Sequence, residues 1–558
     1  MLITLAIWVV VAGLAGVIGA GYFSMTSGSS PAERLVVNLW LGAGILSNGW
    51  LTVALWLPLS PVTAILTAAV LLGVIIQTKP FRLRVATLGR DLAPDAWTLA
   101  LAVGLASIVA AVVAVAPVTL IDTGIYHYPA ARWLAEYGVV KGTALLDVQL
   151  GYASSWFALF APCLHGGMKT RAAALGSGLA LALWLSSAGF AGLRIYRGDG
   201  QPTDWFLVWA TVLGVGAVST LDGLLASSSP DVPTAALIIT IAWVLLGQRP
   251  AAEPRSGWTA AALAAVALSI KLTAAPVLVV AGWLAWRASG WKWKTALSLA
   301  VMVIGLLLPV TVVRAMASGH PFFPSKLCAL PVAWRYDMNP WQMADGTPRE
   351  LTVAIRDQAR WDWGALASPR YSQGPLDGLL DWRWLPAWPS HEPVAAGLLA
   401  ASVVATLAML LGRRQSVVGW GWVLGLGWFG SAYVLLQAPS LRFGVGYFVI
   451  PPALGLAYFS THLPRWVPAL LGAGLVTLLP FPASVPLWRP PRLTPTPVSI
   501  QQVNGMRLYQ PVPQPGIFPR CGDSPLPCGS NIAPTVRLRD PRRGVAAGFI
   551  RGRPSGRE

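Results

Sequence analysis

Charge is the scarcest commodity in this 558-residue sequence. Asp, Glu, Lys and Arg make up 11% of it, where a soluble globular chain carries about 25%. The shortage runs along most of the length, which excludes a single anchor on a soluble domain. Cysteine is scarce as well, with four residues. No zinc spacing, Walker loop, G-x-G-x-x-G fold or haem motif is evident, so no cofactor is indicated. Acids are outnumbered, 22 against 40 Lys and Arg, for a net charge of +18. Charge of that size alone suits a nucleic-acid binder. There is no soluble basic domain with a reading motif, however, so no nucleic-acid partner is expected.

What is abundant is apolar. Hydrophobic residues make up 55% of the chain, in runs long enough to cross about 30 Å of hydrocarbon. Spans are expected at about 2–23, 36–58, 61–78, 96–119, 172–193, 205–221, 233–247, 257–271, 274–288, 295–316, 393–411, 417–436, 445–462 and 467–482. The first is read as retained, because no basic n-region precedes it and no small-residue cleavage site follows. The expected fold class is an all-α polytopic membrane protein of about 14 transmembrane helices. Trp40, Trp133, Trp283, Trp291, Trp382 and Trp388 sit near span ends, as an interfacial belt would have them.

Basic residues orient the chain. Lys79, Arg82, Arg84, Arg90, Arg194, Arg197, Arg249, Arg255, Arg287, Lys292, Lys294, Arg413, Arg414 and Arg465 fall in alternate loops, which the positive-inside rule assigns to the cytoplasm. Both termini, the segments 120–170, 222–232, 318–391 and 437–444, and the tail from 483 are then extracytoplasmic, in an inner (plasma) membrane. Counting Ser154–Leu164 as a span would invert every later loop, so it is expected to be an interfacial or re-entrant helix. The Pro- and Arg-rich tail 483–558 has little periodicity. Its Cys521 and Cys528 are spaced for a small disulfide loop in an oxidising compartment.

Chemistry concentrates in the outside loops. Asp122 follows a hydrophobic run directly, and an acid at the membrane edge is a functional candidate. Tyr126, His127, Arg132 and Glu136 follow. Arg132 and Glu136 are i,i+4 neighbours on a helix started by Pro129, whose Ala131, Leu134, Ala135 and Val139 face the membrane. Asp231 opens a later span, as a functional acid or a helix cap, with Asp222 as competitor. Lys271 stands at the outer end of a span, where it contacts a lipid phosphate or snorkels. Arg442 is a second anion-binding candidate. The loop 318–391 holds Arg335, Arg349, Arg356, Arg360, Arg370 and Arg383, with Trp334, Trp341, Trp361, Trp363, Trp382, Trp384 and Trp388. Its stretch 349–363 reads as one helix with Leu351, Ala354, Ile355 and Ala359 on an apolar face, as a cover over a site or a solvated lid.

The order of these segments resembles the GT-C superfamily of membrane glycosyltransferases. The match runs from D-x-x-x-Y-H-x-P-A (Asp122 to Ala130), through Asp231 in ASSSPDVPTAAL and Lys271 in SIKLT, to His320–Ser325 (HPFFPS), across about 96–480. The superfamily usually opens with two adjacent acids; here Asp122 stands alone, so a divalent metal stays open as an alternative without a second acid to support it. The loop YHYPAARWLAEYG also resembles an uncharacterised, chiefly cyanobacterial, multi-span membrane family.

On the GT-C resemblance, 1–95 holds extra N-terminal helices, 96–317 the core with first outside loop 120–170, 318–392 a large outside loop, 393–482 the last helices and 483–558 the tail. The resemblance implies transfer of a sugar from a polyprenyl-phosphate donor to a glycan, lipid or protein acceptor. Asp122 and Asp231 would be catalytic, and Tyr126, His127, Arg132, Lys271 and Arg442 would bind substrate. A transporter or flippase for lipid-linked saccharide, a polysaccharide polymerase or ligase, and a non-catalytic assembly protein are the competing readings.

Overall fold

A computed structural model describes residues 1–22, 30–77, 79–247, 254–338, 341–342, 348–361, 380, 382–412, 419–513, 519–530, 532–533 and 535–552. Arg249, Arg370, Arg413, Arg414 and Trp363 lie outside the described residues, as do the side chains of Lys79, Arg82, Arg255, Trp341, Arg349 and Trp361.

The chain is mostly helical. α1 (Leu2–Tyr22) and α2 (Pro31–Val53) form a close pair, followed by α3 (Pro61–Ile76), α4 (Lys79–Leu92) and α5 (Ala96–Ala114). The first loop carries α6 (Tyr128–Glu136) and α7 (Ser155–Phe160). The central bundle comprises α8 (Leu175–Arg197), α9 (Pro202–Ser219), α10 (Asp231–Gly247), α11 (Pro254–Ile270), α12 (Ala275–Ala288) and α13 (Trp293–Ser318). After α14 (Leu351–Trp361) and the short α15 (Trp388–His391) come α16 (Pro393–Leu411), α17 (Trp420–Gln437), α18 (Leu441–Phe448), α19 (Ile450–Ser460) and α20 (Val467–Leu478). All fourteen apolar runs are helical over most of their length. Seven helices among the described residues are long and apolar enough to cross a membrane, and five shorter apolar ones accompany them.

Polar decoration follows the same plan. Ser30 caps α2 in a reciprocal capping box with Glu33, and Ser60 caps α3, each with Pro at the start of the helix. Gly19 and Gly42 let α1 and α2 touch: a Cβ on Gly42 would lie within 1.7 Å of the Ala15 carbonyl oxygen. Small residues at such crossings are how apolar helices gain van der Waals contact when the surrounding lipid is equally apolar.

At one end of the bundle the basic residues find acids. Arg34 pairs with Asp91 at 2.5 Å, Arg197 with Asp95 at 2.5 Å, and Arg194 with Glu33 at 3.4 Å and Asp204 at 3.5 Å. The first loop, the start of the 318–338 segment and the tail gather at the other end. There the Gly142 amide donates to the Met316 carbonyl, Phe549 to Lys141 and Arg551 to Ala333. The Met1 ammonium donates to the Pro486 carbonyl at 2.9 Å, so α1 also begins at this end.

Several expectations are corrected. Of the two alternatives for Ser154–Leu164, the interfacial one is set aside: Trp156, Phe157, Ala158, Phe160 and Ala161 are buried against α2 and α8. Such a short helix can enter the bundle because protein surrounds it. The apolar face of α6 is likewise covered by protein, with Ala131, Leu134 and Ala135 buried. Among the belt tryptophans, Trp40, Trp133 and Trp388 are core residues, while Trp283, Trp291 and Trp382 are exposed. Lys79–Leu92 is a helix, not a loop. On α14, Arg356, Asp357 and Arg360 are buried together with Leu351 and Ala354, so it is no solvated lid.

The tail departs furthest from expectation, and from an all-α description. Val498–Val503 (β3) pairs antiparallel with Met506–Pro511 (β4), and Val536–Leu538 (β5) with Phe549–Arg551 (β6); Trp341–Gln342 (β1) and Pro348–Arg349 (β2) form a further small pair. Met506, Leu508, Val536 and Phe549 share a core with Trp133, Val140, Leu145 and Leu146 of the first loop. Cys521 and Cys528 are joined in a disulfide, with Cα atoms 5.9 Å apart.

Candidate functional site

Four charged side chains from distant parts of the chain meet at the loop end of the bundle. Asp122 precedes a π-helical turn, Thr123–His127, that leads into α6. Asp231 is the first residue of α10. Lys271 sits in extended backbone between α11 and the short turn that begins α12. Arg442 is the second residue of α18. Each acid or base thus occupies a helix end or break, where the apolar runs stop.

Arg442 joins the two acids. Its Nη1 donates to Asp122 Oδ2 at 2.5 Å and its Nε to Asp231 Oδ2 at 2.5 Å. Lys271 Nζ donates to the other oxygen of Asp231. Ser229 Oγ completes that carboxylate at 2.6 Å. Phe443 presents its ring to both cations, 4.2 Å from Lys271 Nζ and 5.7 Å from the Arg442 guanidinium, an arrangement that favours positive charge over the ring face. Counted at their formal charges, the two bases and two acids balance.

Exposure divides the set. The Asp231 side chain is 2% exposed, while Asp122 is 28% and Lys271 and Arg442 are each 18% exposed. Asp231 is sealed by its partners; Asp122 and the two cations still reach the surface. Burial alone would raise the Asp122 pKa. The Arg442 guanidinium above all outweighs it, so the carboxyl sits below its ordinary range and is ionised at neutral pH.

Tyr126 and His127 extend the site inward. Tyr126 interacts with Arg442, and burial together with the Asp122 charge pushes its phenol up. His127 is fully buried, 4.2 Å from the Tyr126 ring and 5.7 Å from Phe157 between centroids. Burial keeps its imidazole well below the ordinary value against the pull of Asp122, so it is neutral. Neither ring nitrogen has a hydrogen-bond partner among the described residues.

Of the residues singled out from sequence, Asp122, Asp231, Tyr126, Lys271 and Arg442 come together, with His127 behind them. Arg132 does not join them. It pairs with Glu136 at 2.9 Å and donates to the Ser524 carbonyl of the tail at 2.5 Å. Asp222 is exposed and stands outside the set. Sequence reasoning missed Ser229 and Phe443. Both stand beside residues that were singled out, but a lone Ser or Phe carries no charge signal. Among the described residues no group of three His, Cys, Asp or Glu is placed to hold a metal ion. The two acids are bridged by a cation instead of facing one another. A cavity bounded by Leu51, Ala130, Trp133, Val139, Phe157 and Val313 lies beside α6 and touches none of the four charges.

A family model described as a domain of unknown function (DUF8201) matches residues 1–449. That stretch contains all four charged residues and stops before the tail. No curated protein matches the chain, and no solved structure does.

Proposed function

The chain belongs to the DUF8201 family, and from its site we propose an integral membrane glycosyltransferase that uses a polyprenyl-phosphate sugar donor. The observation that carries this reading is the meeting of Asp122, Asp231, Lys271 and Arg442 at one end of an apolar bundle. An acid and two cations partly open to the surface suit a reaction that takes up a proton and releases a phosphate. About fourteen spans with the loop end extracytoplasmic complete the picture, since the alternate basic loops favour that orientation.

Asp122 is the general base. It accepts the proton of an acceptor hydroxyl whose oxygen attacks the anomeric carbon, as the bond from that carbon to the phosphate oxygen breaks. The products are the glycosylated acceptor and the polyprenyl phosphate. Proton uptake removes the negative charge that Arg442 is paired with. Its Nη1 is thereby freed for the leaving phosphate as that gains charge, while its Nε stays on Asp231, and Lys271 stands beside it. Asp231, sealed by Ser229, Lys271 and Arg442, holds both cations in place.

One observation favours a second reading, a non-catalytic pin: the four formal charges already balance without a substrate. The two readings part in one experiment. Lipid-linked and surface glycans are compared by mass spectrometry between a deletion strain complemented with wild type and one complemented with Asp122→Asn. Loss of one defined sugar, restored by wild type and not by Asp122→Asn at equal protein level, supports transfer. Full rescue by Asp122→Asn removes the base and leaves the pin.

A further inference from the structure

The tail reaches back to the turn that carries Asp122. The Gly522 amide, inside the Cys521–Cys528 loop, donates to the Gly124 carbonyl at 2.7 Å. The Arg520 side chain lies on the face of Gly124 where a Cβ would be, its Cδ 2.7 Å from that position. Gly124 is two residues from both Asp122 and Tyr126. Arg132, on α6, donates to Ser524 inside the same loop. The loop is itself anchored from behind: the Tyr509 amide on β4 donates to the Pro527 carbonyl, and the Gly529 amide to the Tyr509 carbonyl. Both cysteines are buried.

A π-helical turn is a rare insertion in a helix, found most often at functional sites. We infer that the Cys521–Cys528 disulfide loop, whose Gly522 amide holds the Gly124 carbonyl, is a positioning element for the candidate site, a clamp that orders the 121–128 turn and so fixes Asp122 against Arg442. The inference rests on the proposed transfer reaction only for its effect on activity; the ordering of the turn is independent of it. Arg132 belongs to this clamp.

The test is hydrogen–deuterium exchange on the full chain in phospholipid nanodiscs, following peptides that cover 119–128, with α17 to α19 as internal control. In Cys521→Ser/Cys528→Ser, exchange over 119–128 rises about five- to tenfold, the change expected for losing one hydrogen bond's worth of protection, and the control stays constant. Unchanged exchange over 119–128 overturns the clamp. Should that variant fail to fold, Gly124→Ala is the second probe. Its methyl displaces Arg520 and raises exchange, and Arg520→Ala in the same chain restores it. Failure of Gly124→Ala to raise exchange overturns the clamp equally.

Glycan analysis of the same variants separates this inference from the functional one. If Asp122→Asn keeps full transfer, the glycosyltransferase reading falls and the exchange data still decide the clamp. If Asp122→Asn abolishes transfer but the clamp variants raise exchange with transfer intact, the positioning role is overturned. Transfer lost in Gly124→Ala and recovered with Arg520→Ala supports it.

Discussion

Asp122 and Asp231 accept hydrogen bonds from the same guanidinium, and neutralising them should have different consequences. Removing the sealed carboxylate in Asp231→Ala leaves Lys271 without its ion-pair partner and Arg442 with Asp122 alone, a loss of about 3–5 kcal/mol for a buried pair; it will show as a lower thermal midpoint in detergent. Asp122 is more exposed, so Asp122→Asn should keep the wild-type midpoint within a few degrees while sugar transfer is lost. The pH dependence has a definite sign. The folded pKa of Asp122 is depressed, so its ion pair is intact at and above the ordinary carboxylate value of about 3.9 and is lost as pH falls through the lower folded value. Transfer should therefore persist from neutral pH to about pH 4 and decline below it; product formation measured against pH checks this. These residues were legible in the sequence because a charge that ends an apolar run needs a reason. That Arg132 stands apart from the four charges was illegible for a physical reason too: its carbonyl partner lies 392 residues away, and no local pattern carries that.

At the scale of elements, the site depends on helix ends that are held from the side. The Tyr447 hydroxyl donates to the Thr273 carbonyl at 2.9 Å, pinning the break in which Lys271 sits. Tyr447→Phe should cost about 1 kcal/mol, read as a lower midpoint, and Lys271→Ala in that background should cost less than it does alone because the two changes share the break. Across from it, a Cβ on Gly430 would lie 2.0 Å from the Tyr447 ring. Gly430→Ala should therefore overpack α17 against α18 by about 1–3 kcal/mol. The helices themselves were legible because an apolar run of about twenty residues has few other fates. Their junctions were less so. The run 445–462 is two helices, with Pro451 and Pro452 in the first turn of α19, where proline removes the amides that would continue α18. The burial of α7 was illegible: SSWFALFAPCL is apolar whether it faces lipid or protein, and only the packing against α2 decides.

At the scale of the molecule, one end collects the first loop, the tail and the start of α1, and the other collects Arg34, Arg194 and Arg197. If the loop end is extracytoplasmic, the exposed Cys328 reacts with a membrane-impermeant maleimide on intact cells, whereas a cysteine placed at exposed Ala288 at the end of α12 reacts only after the membrane is opened. The opposite pattern would invert the orientation. The tail was the least legible part of the chain. Its strands are short and its core is borrowed from Trp133, Leu145 and Leu146, so it has no apolar period of its own to read.

That borrowing sets an order of events during synthesis. The turn bearing Asp122 leaves the ribosome early, yet Ser524, which Arg132 holds, is made 392 residues later. At about 5–20 residues per second the interval is roughly 20–80 s. Through it the helices insert one after another while the turn waits without its cover. A ribosome that stops after α20 would release a bundle with every charged site residue present and the turn still open. Synthesis of the segment that follows α20, and not the insertion of any helix, is then the step that covers the turn.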